Sequence, residues 1–226
     1  MVHLLIDIEK EHKGDRISLI KARKLMLNTL CKIAKEWIEI EHFSRVTENY
    51  LTTLNPKSII LSGNRTPWEY YDKEELEKFM KVIRSWKRPL LGICGGHQLL
   101  AMAYGGKVDV IRKAKRGEPT DKPGGFYYGY LLETGMRPVN IIIRDPIFEG
   151  LPEVIIVDEG HFCEVKELPK GFIILASNDI SRVQAMRHKE LPIYGVQFHP
   201  HIFNDKYPHG RIILENFFRI VKNFKK

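Results

Sequence analysis

Cys94 sits in Gly92-Ile93-Cys94-Gly95-Gly96, between the apolar run LLGI (90–93) and a helix-like run that begins at His97. A thiol flanked by glycines on a strand-to-helix step is what a nucleophile on a sharp turn requires. Its backbone is strained there, and its neighbours must be small. The next N–H groups belong to a helix N-terminus, which favours a thiolate and then an oxyanion. A lone cysteine is more often a small buried hydrophobe; the glycines turn that reading towards a nucleophile. Such a nucleophile needs a base, and PIYGVQFHPH (192–201) offers one, an apolar strand ending in His199 with a proline after it to stop the pairing.

His201 lies two residues beyond. In extended chain residues i and i+2 point the same way, so His201 is expected to touch His199. His199, His201 and His209 with Asp205 also raise a metal site, because H-x-H can aim two imidazoles at one ion. No further ligand stands at a matching spacing, so neither a metal nor a cofactor is expected.

These residues need a frame. VHLLIDI (2–8), IEIEHF (38–43), SIILSG (58–63) and LLGIC (90–94) read as strands. Between them, a helix with Ile17, Ile20, Leu25, Leu27, Leu30, Ile33 and Trp37 on one side and a second over 72–86 alternate with the strands; HQLLAMAYGG (97–106) continues the series. That alternation predicts an α/β fold, a mostly parallel central sheet with helices on both faces. The second half changes character: 139–144, 153–158, 172–177, 183–188 and 192–199 are strands with little helix between them, which predicts antiparallel additions at one side. Residues 112–125 read as a basic surface loop, and 210–224 as a closing amphipathic helix. One domain over 1–226 is expected.

Composition narrows the function classes. The chain is 43% hydrophobic, enough for a sizeable core, and no apolar run approaches the ~20 residues of a membrane span. The start reads as a first strand and not as a signal peptide. Three scattered cysteines (Cys31, Cys94, Cys163) do not make a disulfide framework, so a reducing cytoplasm is expected. The net charge of +8 has no accompanying pattern of stacking aromatics, and no nucleic-acid partner is expected.

Taken together, GICGGHQ and GVQFHP resemble the class I (triad) glutamine amidotransferases, and the resemblance covers nearly the whole chain. SIILSG matches the family's oxyanion-loop strand. GGKV, ETGMRPVNI, DPIFEGLP and GHFCEV follow in the family's order. The resemblance implies a flavodoxin-like amidotransferase fold and a hydrolase that releases ammonia from the side-chain amide of glutamine. Cys94 would form a γ-glutamyl thioester, with His199 as base and acid. The N–H of Gly95 and one from Gly63 or Asn64 would form the oxyanion hole. Gln98, His161 and Phe162 fall at positions that shape the glutamine site. The family domain uses up the chain, so the ammonia is expected to serve a separate synthase subunit.

The sequence departs from the family in three places. His201 stands where a glutamate usually completes Cys-His-Glu. A neutral imidazole can orient His199 but cannot offset its charge, which implies weakened activity and not its loss. Asn64-Arg65 replaces Gly-Pro in the oxyanion loop, where asparagine tolerates positive φ. Phe162 replaces a common glycine and would reshape the pocket. Two other functions stay open on these grounds: a stand-alone hydrolase of γ-glutamyl amides or peptides, and a non-catalytic binding or regulatory member.

Overall fold

A computed structural model describes residues 2–10 and 16–225. Strand and helix alternate through β1 (His3–Asp7), α1 (Arg16–Ala34), β2 (Ile38–His42), α2 (Glu48–Leu54), β3 (Ile59–Leu61), α3 (Lys73–Ser85), β4 (Leu90–Ile93) and α4 (Gly95–Ala103). Seven strands follow: β5 (Lys107–Val110), β6 (Glu133–Ile141), β7 (Val154–His161), β8 (Cys163–Glu167), β9 (Phe172–Ser177), β10 (Ala185–His188) and β11 (Ile193–Val196). Helix α5 (His209–Asn223) ends the series.

Nine strands form one continuous sheet in the order β2-β1-β3-β4-β11-β10-β9-β6-β7. From β2 to β11 all pairs are parallel; from β11 to β7 all are antiparallel. The expected α/β sheet with antiparallel additions is what the chain forms. Strands β1, β3, β4 and β11 are buried at every residue, as strands covered on both faces must be, and their near-continuous apolar runs follow from that. Alternate side chains feed two cores. Leu5, Ile60 and Leu91 pack with Leu30 of α1 and Phe217 of α5; Leu4, Ile59 and Leu90 pack with Phe79 of α3 and Leu99 of α4. A separate antiparallel pair, β5 with β8, lies alongside.

Several boundaries differ from the sequence reading. In α1 the buried stripe is Met26 and Leu30, with Leu27 and Ile33 packed against it, while Ile17, Ile20 and Leu25 are exposed. Trp37 lies beyond the helix end and is 68% exposed. Helix α4 begins at Gly95, directly after the cysteine, and stops at Ala103. Strand β6 starts at Glu133 and leaves Ile142 and Ile143 outside, both exposed. Residues 112–125 are no free loop, because Lys113 and Tyr130 form a bridge that folds the segment back on itself. Among the described residues no helix is long and apolar enough to cross a membrane.

Candidate active site

Cys94 lies between β4 and α4 with φ 52° and ψ −108°. Its N–H donates to the Val196 carbonyl at 2.8 Å, the last rung of the β4–β11 ladder, and its own carbonyl accepts from Gln98 N at 3.1 Å, the first bond of the helix. One residue must therefore end a strand and start a helix, and only a reversed φ achieves that. The glycines permit it. A Cβ on Gly92 would lie 2.5 Å from the Gly96 carbonyl oxygen, and one on Gly95 would lie 2.0 Å from Asn64 Oδ1. The helix start is tied to the end of β3 by Gly96 N–H to the Ser62 carbonyl, 2.9 Å.

The predicted oxyanion residues converge here. Gly63 and Gly95 both flank Cys94, and Asn64 packs directly over Gly95. Asn64 does not adopt positive φ; among the described non-glycine residues only Lys35, Asn55 and Cys94 do. The loop is held in another way. Asn64 Nδ2 donates to the Thr66 carbonyl at 2.7 Å and to Tyr71 Oη at 3.2 Å. The buried Glu9 carboxylate accepts the N–H groups of Arg65 and Thr66. Sequence reasoning misses Glu9, because an acid after the first strand carries no signal of its own.

His199 enters from the segment after β11, its N–H bonded to the Asp158 carbonyl at 2.7 Å. A Cβ built on Gly63 would lie 3.4 Å from His199 Cε1 and 3.9 Å from Cys94 Sγ, so ring and sulfur share one small space. Gly160 is the other wall, its carbonyl 4.0 Å from Cys94 Sγ, and a Cβ built on it would lie 3.4 Å from His199 Nε2. Extended geometry at His201 does not hold. The Ile202 N–H closes a turn onto the His199 carbonyl, 3.0 Å. The two imidazoles meet edge to face, centroids 5.4 Å apart, and no hydrogen bond joins them; His201 Nδ1 is buried without a partner. His209 is used elsewhere, its Nδ1 accepting the Ile156 N–H.

Burial favours the neutral form of both groups. Burial pushes the Cys94 thiol up to about 12, and the Glu159 carboxylate adds to the rise; the Gly95 N–H and the Gln197 amide oppose it. Desolvation thus works against the thiolate that the helix N-terminus favours. Burial, then the charge of His161, lowers His199 to about 4.

Of the three residues expected to shape the substrate site, all line one cavity of about 620 Å³ that Cys94 also reaches. Gln98 is already engaged: its Nε2 donates to the Cys163 carbonyl at 2.8 Å and to Gln197 Oε1 at 3.2 Å, and its Oε1 accepts from Trp68 Nε1 at 3.0 Å. It braces the wall. Gln197 in turn points Nε2 at Cys94 Sγ, 3.7 Å. Phe162 stacks on Tyr127 with centroids 4.7 Å apart at 16°, which draws the segment after β5 over the cavity. His161 sits between two buried carboxylates, 3.1 Å from Glu133 and 3.1 Å from Glu159. Burial opposes its charge, but the carboxylates prevail and hold it at about 9; burial raises Glu159 to about 7.

The family model described as "Glutamine amidotransferase class-I" matches residues 21–221. The chain is 38% identical over 170 residues to a glutamine-hydrolyzing GMP synthase subunit of Pyrococcus abyssi, covering 75% of this chain and 78% of that one. It is 39% identical over 170 residues to the protein of the same description from Pyrococcus furiosus, with the same coverage. A crystal structure of a putative GMP synthase subunit from Thermoplasma acidophilum superposes with a TM-score of 0.72 at 26% identity, covering 98% of this chain and 94% of that one.

Proposed function

The chain belongs to the class I glutamine amidotransferase family, and from that premise we propose that it hydrolyses glutamine through Cys94 and passes the ammonia to a separate GMP-forming synthase subunit. The observation that carries this reading is the convergence of the His199 ring and Gly95 on Cys94, which sits on a positive-φ turn and reaches a cavity.

Cys94 Sγ attacks the side-chain carbonyl carbon of glutamine while His199 takes the thiol proton. Both groups start neutral, so attack and proton transfer are coupled and no resting ion pair is needed. The carbonyl oxygen becomes an oxyanion held by the Gly95 N–H and an N–H of Gly63 or Asn64. His199 then protonates the departing nitrogen, ammonia leaves, and a γ-glutamyl thioester remains. Water, deprotonated by His199, cleaves the thioester to glutamate and restores the thiol. His201 supports the His199 ring by contact alone, which gives less stabilisation of the imidazolium than a carboxylate would. Turnover is accordingly slow in the isolated chain.

The test is ammonia release from glutamine by the purified chain, alone and with the ATP-dependent GMP synthase subunit of the same organism. Activity absent in both conditions sinks the reading. A glutamine-like diazo-ketone should label Cys94 ahead of Cys31 and Cys163, and equal labelling of the three would remove Cys94 from its role. The cavity volume falls in the ~300–1,000 Å³ range that admits drug-sized ligands. That favours, as a second reading, γ-glutamyl amides with bulkier amines. Faster cleavage of γ-glutamyl anilides than of glutamine would select it.

A further inference from the structure

The buried cluster beside Cys94 holds more electron-rich atoms than protons to serve them. His161 Nδ1 lies 2.9 Å from the Cys163 carbonyl. A carbonyl only accepts, so Nδ1 carries a hydrogen and Nε2 is the atom turned inward. Nε2 lies 3.1 Å from Glu133 Oε2 and 3.1 Å from Glu159 Oε2, and the three residues are only 1–3% exposed. Neither contact is aligned as a hydrogen bond. Nε2 and both carboxylate oxygens of Glu159 are left buried without a bonding partner. A hydrogen on Nε2 points along one line in the ring plane and cannot serve an oxygen on each side. Even with it, at least one buried carboxylate oxygen is left without a donor, which is costly.

We propose that this cluster is a site for a first-row divalent metal ion, with His161 Nε2, Glu133 Oε2 and a Glu159 carboxylate oxygen as ligands. The candidate ligand atoms lie within 4.8 Å of one another. The 3.1 Å separations approach those of adjacent ligands around an ion held at ~2.0–2.2 Å. One imidazole and two carboxylates suit zinc, iron or manganese. The surroundings are those of a ligand set. A backbone carbonyl fixes the His161 tautomer, and the Asn178 and Gln184 amides orient Glu133. His161 and Gly160 also line the cavity.

The experiment uses the full chain without an affinity tag, stripped by chelator, refilled with zinc or cobalt and assayed for bound metal. One ion per chain is expected. Glu159→Gln and Glu133→Gln should each weaken binding by at least about 10-fold, whereas Cys94→Ala and His201→Ala should retain it. No stoichiometric uptake by the wild-type chain overturns the site, as does uptake that survives both glutamine substitutions. X-ray absorption of the zinc-loaded wild type keeps the question decidable should a variant fail to fold. Nitrogen and oxygen neighbours support the assignment; a sulfur neighbour places the ion on a thiol and refutes it.

Discussion

His161 lines the cavity that Cys94 reaches and His199 shares a small space with the Cys94 sulfur, and their surroundings are opposite. His161 has two buried carboxylates on Nε2, and they hold its charge up to about 9 although burial opposes it. His199, which shares a space with Cys94, has no carboxylate in ion-pairing range among the described residues, and burial with the nearby His161 charge lowers it to about 4. An imidazole that is already protonated cannot take a proton from a thiol. The carboxylates therefore disqualify His161 as the base, and their absence keeps His199 available at neutral pH. In the proposed reaction the cost appears later, when His199 becomes an imidazolium with nothing anionic beside it.

Removing each histidine in turn tests this most severely. His199→Ala should lower glutamine hydrolysis by about 10⁴–10⁶-fold, the scale of loss when a catalytic histidine is removed from a triad, measured as single-turnover ammonia release. A variant that keeps its rate would mean that the proton goes elsewhere, and the contrast between the two rings would collapse.

His161→Gln addresses the other side. It leaves two buried carboxylates without their cation, a loss of about 3–5 kcal/mol. In metal-free protein the calorimetric Tm should fall by about 10 °C. An unchanged Tm would show that the cluster contributes nothing to holding β6 and β7 together.

His201→Glu should make His199 resemble His161. A carboxylate at 201 stabilises the imidazolium and should raise kcat roughly tenfold, an effect of ~1.4 kcal/mol. The sign of the pH effect follows from the same charge. In the wild type His199 is neutral above about 4, so its acid limb should lie near that value and activity should be lost only as pH falls through it. With glutamate beside it the His199 pKa rises, and the limb should move up by about one pH unit or more. A pH–rate profile identical in both proteins would mean that residue 201 does not reach the base.

The smallest effect is expected at Phe162. Phe162→Gly removes the stack on Tyr127, a contact worth about 0.5–1.5 kcal/mol. KM for glutamine should rise a few-fold while kcat changes little. A large fall in kcat would instead place Phe162 among the groups that align the reacting carbonyl.

The elbow at Cys94 was legible because its requirement is local. A residue that ends a strand and begins a helix needs small neighbours, and Gly92, Gly95 and Gly96 stand within two positions of Cys94. The parallel half of the sheet was legible for a related reason, since strands covered on both faces are written as short apolar runs. Helix α1 was less so: apolar spacing marked a face but not how far the neighbours would cover it, and Ile17, Ile20 and Leu25 stayed exposed.

What surrounds the elbow was decided by the tertiary structure. Gln197 reaches Cys94, Gln98 braces Cys163 and Trp68, Glu9 pins the oxyanion loop, and Glu133 meets His161 with Glu159. Apart from Glu159 and His161, these partners are separated by tens of residues, and polar side chains of this kind are ordinary surface residues until packing excludes water from them. The same holds for His201, whose spacing from His199 promised a bond that the turn at Pro200 replaced with an edge-to-face contact. Sequence by itself determined where the strand-to-helix turn at Cys94 lies and which scaffold presents it, because backbone geometry and apolar periodicity act over a few neighbouring residues. The charge on each histidine was settled only by the fold, because a pKa depends on burial and on which carboxylates are brought within about 3 Å.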